Sequence, residues 1–239
     1  MDLSFYTAAV GANAQQTRMN IIANNLANIN TDGYKAQSAG FVDLLYNKYY
    51  RAATRDPETG CGARVEKTDI LYEQGGFNPT GGEYNFAIAG EGFFAVYDPA
   101  SGDVFYTRNG NFILSDYGNN TFYLATEDKY LLIGKDSDLV LVNPHDENQA
   151  QDLNIGVFDF IHKEGMLLRG SNLYQAVEKN GEPFLNEEAV LLRGRLEMSN
   201  VDLAYEMSKV IETQRAYQMT LKMVQTSDEI EQNINNLRG

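Results

Sequence analysis

Two proline-free segments, one at each end of the chain, carry apolar residues at alternating intervals of three and four, and this spacing constrains the fold more than any other feature. Residues spaced in this way lie on one side of an α-helix and form a seam that packs along a second helix. We therefore predict a long helix at each terminus. The predicted N-terminal seam comprises Phe5, Ala8, Ala12, Gln15, Met19, Ile22, Leu26 and Ile29.

The C-terminal segment begins with Ser199-Asn200-Val201-Asp202, a pattern that resembles a capping box and would place Ser199 at the start of the helix. No Pro or Gly follows as far as Arg238, so nothing interrupts a helix. The spacing shifts partway along, in the manner of a coiled-coil stutter. The predicted seam comprises Leu203, Met207, Val210, Gln214, Tyr217, Leu221 and Val224, and then Met223, Ser227, Ile230, Ile234 and Leu237.

The N-terminal segment is rich in asparagine, although asparagine is a poor helix former. We predict that these side-chain amides make lateral hydrogen bonds that set the register of the helices, at some cost in stability. A solvated polar face is the alternative. The asparagines are Asn20, Asn24, Asn25, Asn28 and Asn30, and the residues that could answer them from the C-terminal helix are Gln214, Gln218 and Gln225.

Residues 81–195 contain short runs in which Tyr, Phe, Val, Ile and Leu alternate with polar residues between turn signals, which is typical of strands. Asn109-Gly110 is a hairpin signal. Gly90-Glu91-Gly92 begins a match to the dinucleotide-binding motif G-x-G-x-x-A, but the residues that follow are typical of a strand rather than a helix. We therefore predict a β turn there, within an all-β domain.

The fold class predicted from these patterns is α+β, with N- and C-terminal helices that form a coiled coil and a central all-β domain inserted between them. Within 36–80 the stretch Arg51–Gly62 has the composition of a loop. A terminal helical hairpin inside a monomer is the alternative arrangement. The predicted segments are an N-terminal helix at 1–35, an extended linker or loop at 36–80, the β domain at 81–195 and a C-terminal helix at 196–239.

The charge distribution limits the possible partners. The formal net charge is −14, of which −12 lies between the terminal segments, so neither nucleic acid nor an anionic membrane surface is an expected partner. No apolar run is long enough to span a membrane, and the first eighteen residues lack the pattern of a cleaved signal peptide. We expect a protein that stays in the cytoplasm or is exported by another route. The single cysteine, Cys61, excludes an intrachain disulfide.

No pattern indicates catalysis. His145 and His162 are the only histidines, neither has a partner at a metal-ligand spacing, and no nucleophile elbow is present. We therefore predict a self-assembling structural protein that is not an enzyme and has no cofactor, metal or small-molecule substrate.

Several strings resemble a known family. NNLANINTDGYK, at Asn24–Lys35, resembles the N-terminal signature of the bacterial flagellar rod and hook proteins. ETQRAYQM and VQTSDEI resemble the C-terminal signature of that family, and LEMSNVDLAYEM resembles its approach to the last helix. The strings GARVEKTDILYEQGGFNPTGGEYNFAIAGEGFFAV and YTRNGNF resemble the entry of such proteins into their β domain. Within the family the chain is most similar to the distal rod proteins.

The resemblance implies a structural subunit of the flagellar basal-body rod that polymerises through its terminal helices into a tubular drive shaft for motility. Its implied partners are copies of itself, other axial proteins and the flagellar type III export apparatus. The implied location is extracytoplasmic, in the basal body, after export without a cleaved signal. A proximal rod or hook-like subunit is one alternative, and an envelope-remodelling enzyme is another.

Together, the seam and the resemblance give one set of candidate assembly residues. These are Phe5, Ala12, Met19, Ile22, Asn24, Asn25, Leu26, Asn28, Ile29, Gly33, Leu203, Met207, Val210, Gln214, Arg215, Tyr217, Leu221, Val224, Gln225, Ile230 and Ile234. The family resemblance also extends to Glu212 and Asp228.

Overall fold

A computed structural model gives the fold, as an α+β chain with a helix at each end and β structure between them. It describes residues 3–44, 47–48, 58–59, 62–116, 122–142 and 153–238. The chain divides into two compact units. Unit 1 comprises Met1–Ala27, Gln37–Leu71 and Val201–Gly239, and unit 2 comprises Asn28–Ala36 and Tyr72–Asn200.

Unit 1 contains both helices, α1 (Leu3–Ala27) and α2 (Leu203–Arg238). The start predicted for α2 is wrong, because the residue that caps the helix is Asp202 and not Ser199. The Asp202 Oδ1 atom accepts hydrogen bonds from the backbone N–H of Ala204 at 2.9 Å and of Tyr205 at 3.3 Å. A carboxylate at this position satisfies N–H groups that have no partner within the first turn.

Unit 1 also contains paired strands in the segment that was predicted to be an extended linker. Strand β1 (Gln37–Asp43) pairs antiparallel with β4 (Ala63–Ile70), and the register shifts between Gly40 and Phe41. Between them, β2 (Asn47–Lys48) pairs with β3 (Glu58–Thr59). Few side chains of β4 are large and apolar, and the burial of its residues does not alternate beyond Glu66. Residues 49–57 and Cys61 lie outside the described residues.

Unit 2 begins with the turn that follows α1. The helix ends at Ala27, eight residues before the predicted boundary at Lys35, and a hydrogen bond of 3.2 Å from the Thr31 N–H to the Asn28 carbonyl begins the turn. Gly33 has a φ of +69°, a left-handed conformation that glycine adopts without strain.

The described strands of unit 2 are short. They are β5 (Phe77–Pro79), β6 (Phe86–Ala89), β7 (Phe93–Tyr97), β8 (Val104–Thr107), β9 (Ile113–Asp116), β10 (Phe122–Ala125), β11 (Leu131–Leu132), β12 (Leu141–Val142), β13 (Val157–Asp159), β14 (Leu167–Leu168), β15 (Leu173–Gln175), β16 (Phe184–Leu185), β17 (Val190–Arg193) and β18 (Arg195–Glu197), with a 3₁₀ turn at Glu178–Asn180.

Ten of these strands join in one sheet, in the order β12-β10-β11-β7-β8-β15-β14, with β9 paired to β10 and β13 paired to both β7 and β16. Strand β17 pairs with β6, and β18 pairs with β5. The aromatic and aliphatic side chains of the central strands form the core. Its buried members are Phe86, Ile88, Phe94, Val96, Phe105, Phe112, Leu124, Leu132, Val140, Val142, Ile155, Val157 and Leu173.

Of the predictions made from the two glycine motifs of unit 2, the one for Gly90-Glu91-Gly92 agrees with the structure and the one for Asn109-Gly110 does not. Strand β7 follows Gly92, as predicted, and Gly90 and Gly92 both have positive φ angles. The hairpin predicted at Asn109-Gly110 is wrong, because β8 pairs with β7 and β15 while β9 pairs with β10. The Gly110 carbonyl instead accepts a hydrogen bond from the Phe86 N–H at 3.0 Å, and an added Cβ at Gly110 would overlap the Phe86 carbonyl.

Candidate functional site

The two helices of unit 1 run antiparallel and contact each other at intervals of seven residues. Their register is read from four contacts. These are Ser4 Oγ to Ser227 Oγ at 3.0 Å, an added Gly11 Cβ to Thr220 Cγ2 at 3.6 Å, Arg18 Nη2 to Glu212 Oε2 at 3.6 Å, and Asn25 Nδ2 to Glu206 Oε1 at 3.3 Å. Each step of seven residues along α1 is matched by a step of six to eight residues in the opposite direction along α2, so the pairing is maintained over three successive intervals, or about six helical turns.

The side of α2 that faces α1 is made largely of small and polar residues. Its members keep 4-3 spacing and none of them is exposed; they are Glu206, Val210, Thr213, Tyr217, Thr220, Val224 and Ser227. Three polar atoms at the helix pair are buried without a hydrogen-bond partner among the described residues, namely Gln15 Oε1, Glu206 Oε2 and Thr213 Oγ1. The helix pair of a single chain is therefore held by little apolar burial.

The seam predicted for α2 coincides with this side at every second position. Val210, Tyr217, Val224 and Ser227 lie on the side that faces α1. The intervening predicted positions are exposed in the single chain, because the residues that face α1 lie one position earlier. Those exposed positions are Leu203, Met207, Gln214 and Leu221, and the other exposed candidates on α2 are Arg215, Gln225, Ile230 and Ile234.

The candidates on α1 are mostly covered within unit 1. Ala12, Ile22 and Asn25 are buried, whereas Met19 and Leu26 are half-buried. Phe5 and Asn24 are exposed. The three candidates that follow α1, namely Asn28, Ile29 and Gly33, belong to unit 2. Whether these positions contact other copies stays a prediction.

Asn25 is the polar residue that joins three elements of unit 1. Its Nδ2 donates to the Gln37 carbonyl at 2.8 Å and its Oδ1 accepts from the Gln37 N–H at 2.9 Å, so the amide pairs with the backbone at the start of β1. The same Nδ2 lies 3.3 Å from the buried carboxylate of Glu206 on α2. Asn25 thus makes the kind of lateral hydrogen bond predicted for the asparagines, but to Glu206 rather than to a glutamine.

A large part of the surface of α2 is apolar and exposed. The exposed side chains of this kind are Leu203, Tyr205, Met207, Ile211, Met219, Leu221, Met223, Ile230, Ile234 and Leu237. Single exposed apolar residues are ordinary, but ten of them on one helix indicate that it takes part in further interactions.

Unit 2 contains a buried cluster of three charged side chains. Lys35 Nζ lies 2.6 Å from Glu197 Oε1, and Arg108 Nη1 lies 3.1 Å from Glu197 Oε2. All three side chains are at least 96% buried. The Gly75 N–H also donates to Glu197 Oε1 at 3.0 Å, and Lys35 Nζ donates to the Glu73 carbonyl at 2.7 Å. One carboxylate therefore holds two cations away from water.

Burial dominates the electrostatics of the cluster. It lowers the pKa of Lys35, because desolvation disfavours the ammonium form more than the neighbouring Glu197 carboxylate favours it. The Arg108 guanidinium also donates to the Gly90 carbonyl at 3.0 Å and lies over the Phe93 ring at 5.5 Å. Such a cluster fixes the geometry of the elements that contribute to it, and removing one partner would leave a buried charge uncompensated.

Gly33 fits against the backbone beside this cluster. An added Cβ would lie 2.4 Å from the Asn109 backbone nitrogen, and the Gly33 N–H donates to the Glu197 carbonyl at 2.7 Å. The neighbouring Asp32 has a raised pKa because it is partly buried. No residue other than glycine fits this close approach with a positive φ.

Lys35, Arg108 and Glu197 are absent from the candidates predicted above. Each lies in a string that carries the family resemblance, namely TDGYK, YTRNGNF and LEMSN. The sequence therefore contained a signal for the cluster, because these three distant strings contribute charges of opposite sign and so suggest a common contact. The charges alone do not reveal it, since ion pairs cannot be assigned from a chain with many acidic residues.

Features of catalysis or membrane insertion do not stand out among the described residues. His162 is exposed, and His145 lies outside the described residues. The described part of the chain has no cluster of three metal-ligating side chains. None of its described helices combines the length and apolar character needed to cross a membrane.

Three family models match the chain. They are described as flagella basal body rod protein, at residues 5–35, flagellar hook protein FlgE/F/G D1 domain, at residues 87–156, and flagellar basal body rod FlgEFG protein C-terminal, at residues 192–237. The first contains Asn25, Gly33 and Lys35, the second contains Arg108, and the third contains Glu197.

Full-length relatives carry the name flagellar basal-body rod protein FlgG. The protein of Buchnera aphidicola from Schizaphis graminum is 34% identical, covering 98% of this chain and 99% of its own. The protein of Borreliella burgdorferi is 32% identical, covering 98% of each chain, and that of Bacillus subtilis is 31% identical with the same coverage.

Proposed function

The chain belongs to the family of flagellar basal-body rod proteins, and from this premise we propose that its terminal helices form a coiled coil through which copies polymerise into a tubular drive shaft. It is a structural subunit of the flagellar rod and not an enzyme. Its full-length relatives are rod proteins of the FlgG type, which supports a distal rod subunit over a proximal or hook-like one.

The exposed apolar surface of α2 is the observation that carries this proposal. Leu203, Met207 and Leu221 are between 40% and 49% exposed, on a helix whose inner side is already occupied by α1. Exposing such side chains to water is unfavourable, and covering them with a neighbouring helix contributes about 25 cal/mol per Å² of apolar surface. Polymerisation provides that cover.

The seven-residue interval between the helix contacts supports the coiled coil. An interval of seven keeps one side of each helix facing its partner, which is the geometry of a supercoiled pair. The small side chains at Gly11 and Thr220 let the two backbones approach closely. The domain limits at 1–35, 36–80, 81–195 and 196–239 belong to the same proposal, with the central β domain inserted between the helical segments and the β1–β4 ribbon placed in the second segment.

The partners in this proposal are copies of the chain, other axial flagellar proteins and the flagellar type III export apparatus. Family membership supports assembly with axial proteins, and the location in the basal-body rod follows from it. Export by the flagellar apparatus, without a cleaved signal, would deliver the chain to its extracytoplasmic site.

Replacement of Leu221 by Asp tests the proposal. A carboxylate on this surface would be desolvated without a partner in the polymer, so we expect Leu221→Asp to abolish filaments in negative-stain electron microscopy while unit 2 keeps its thermal unfolding transition. The matched control is Gln218→Asp, which adds the same charge at an exposed polar position of α2. Filaments from Leu221→Asp equal to those of the parent would contradict the proposed surface.

A further inference from the structure

Two sets of exposed residues of α2, each repeating at an interval of seven and apolar except for Gln214, lie on opposite sides of the helix. Met207, Gln214 and Leu221 each follow a residue that faces α1 by one position. Met223 precedes Val224, which faces α1, by one position. Ile230 and Leu237 precede positions 231 and 238, which continue the side of Val224 at intervals of seven beyond the end of α1. Because each residue of an α-helix turns by about 100°, these two sets flank the line on opposite sides.

The two flanks also occupy opposite halves of the helix. Hereafter the flank of 207, 214 and 221 is the N-half flank, and that of 223, 230 and 237 is the C-half flank. Both are exposed, and Leu237 at 87% is among the most exposed large apolar side chains described. Each flank repeats at an interval of seven, so the two have matching lengths and spacings.

Two different patches on one molecule give a heterologous contact when copies associate. Such a contact does not close between two copies, and it extends into an open filament when the rotation between copies does not return to the start. A displacement of 16 residues places the C-half flank of one copy alongside the N-half flank of the next. At about 1.5 Å per residue, this is a stagger of roughly 24 Å along α2.

The charges next to the flanks lie within two residues of the same displacement, because Arg215 and Glu229 are 14 residues apart. Arg215 adjoins the N-half flank and Glu229 adjoins the C-half flank, and both are exposed. Neither has an ion-pair partner among the residues that the structure describes. The stretch 213–227 contains Arg215 and Lys222 but no carboxylate, whereas Asp228, Glu229 and Glu231 follow it directly. Two parallel helices with the stagger of 16 residues would place Glu229 of one copy about two residues, or roughly 3 Å along the axis, from alignment with Arg215 of the next, which long side chains can span.

We infer that copies of this chain associate through a parallel, staggered contact in which the C-half flank of α2 in one copy packs on the N-half flank of α2 in the next, with Glu229 beside Arg215 of the neighbour. The contact rests on the proposed polymerisation of the chain. It identifies a second copy as the occupant of both flanks and sets the direction and spacing of neighbours.

A charge exchange tests the electrostatic half of this contact. Glu229→Arg and Arg215→Glu should each raise the critical concentration for filament formation, by roughly fivefold to tenfold, because like charges then meet. The double variant that carries both changes should return it to the parent value. The control is Lys179→Glu, which reverses an exposed charge in unit 2 and should leave the critical concentration unchanged.

Disulfide cross-linking tests the stagger. In a Cys61→Ser background, Met207→Cys with Met223→Cys should give a ladder of cross-linked oligomers when filaments are oxidised. Met207→Cys with Leu221→Cys, which are both on the N-half flank, should give no ladder. A parent chain that forms no filaments would contradict the proposed function itself. If the parent chain forms filaments, two results would overturn the staggered contact alone. One is a double charge exchange that does not restore the critical concentration of the parent, and the other is a ladder from the Met207→Cys, Leu221→Cys variant.

Discussion

The buried carboxylates of Glu206 in unit 1 and Glu197 in unit 2 are satisfied to different degrees, although Arg108 Nε in unit 2 also has no partner among the described residues. In unit 2 the Glu197 carboxylate contacts Lys35, Arg108 and the Gly75 N–H. In unit 1 the Glu206 carboxylate contacts Asn25 through one oxygen, while the other is buried without a partner among the described residues. A buried polar group without a partner costs stability, whereas a fully paired one fixes a unique geometry. We therefore expect unit 2 to fold in the single chain and unit 1 to gain its stability from neighbouring copies.

The strongest test of unit 2 is Glu197→Ala. This change leaves two buried cations without their carboxylate, so we expect it to lower the free energy of unfolding by about 3–5 kcal/mol. Thermal and urea unfolding, followed by near-ultraviolet circular dichroism, would measure the loss.

The matched control is Glu83→Ala, which removes the exposed partner of Arg193 at 3.3 Å. An exposed pair contributes about 0–1 kcal/mol, so this variant should unfold almost as the parent does. If Glu197→Ala does not fold, Glu197→Gln keeps the side-chain shape and should show an intermediate loss. Equal stability of Glu197→Ala and Glu83→Ala would remove the contrast between the two units.

A second test is Gly33→Ala, which separates close packing from backbone strain. Gly33 has both a positive φ and a backbone nitrogen 2.4 Å from any added Cβ, so we expect a loss of about 2–4 kcal/mol. Gly102→Ala is the control, since Gly102 has a φ of +79° but nothing within 4 Å of an added Cβ. It should lose only about 1 kcal/mol. Similar losses at the two sites would show that strain alone explains Gly33.

The terminal helices could be predicted because their pattern depends on local sequence. The absence of Pro and the 4-3 spacing indicate a helix whatever it packs against. Which side faces α1 could not be predicted, because small polar residues such as Thr213 and Thr220 form that side, whereas apolar residues such as Leu221 are exposed. The rule that apolar residues face the intramolecular partner fails where the larger apolar surface is available to other copies.

The charge cluster could not be predicted for a different reason. Lys35, Arg108 and Glu197 are far apart in sequence, and each looks like an ordinary surface charge when read alone. Only the fold of unit 2 brings them together. The hairpin predicted at Asn109-Gly110 failed for a related reason, because Gly110 is required by the close approach of the Phe86 carbonyl rather than by a two-residue turn.

A third test is Thr213→Val, which measures the cost of the polar seam in unit 1. The Thr213 Oγ1 atom is buried without a partner in the described structure, so replacing the hydroxyl by a methyl group should stabilise the helix pair by about 1 kcal/mol. Helix content of the single chain, measured by circular dichroism at increasing urea, should rise. The control is Thr220→Val, because the Thr220 hydroxyl already donates to the Tyr217 carbonyl at 2.7 Å. A gain at Thr220 equal to that at Thr213 would contradict this explanation.

The smallest expected effect concerns Tyr72, whose hydroxyl is, like Arg108 Nε, buried without a hydrogen-bond partner among the described residues of unit 2. Burial raises the pKa of Tyr72, so its folded-state pKa lies above that of the unfolded chain, which is about 10. The unfolded chain then releases the proton first as pH rises, and stability falls above about pH 10.

Tyr72→Phe keeps the edge contacts of the ring with Phe93 and Tyr174 but removes this titration. We expect the variant to match the parent near neutral pH and to lose less unfolding free energy between about pH 9 and pH 11. The exposed Tyr205→Phe is the control and should follow the parent. The same alkaline loss in Tyr72→Phe as in the parent would assign that loss to other groups of unit 2.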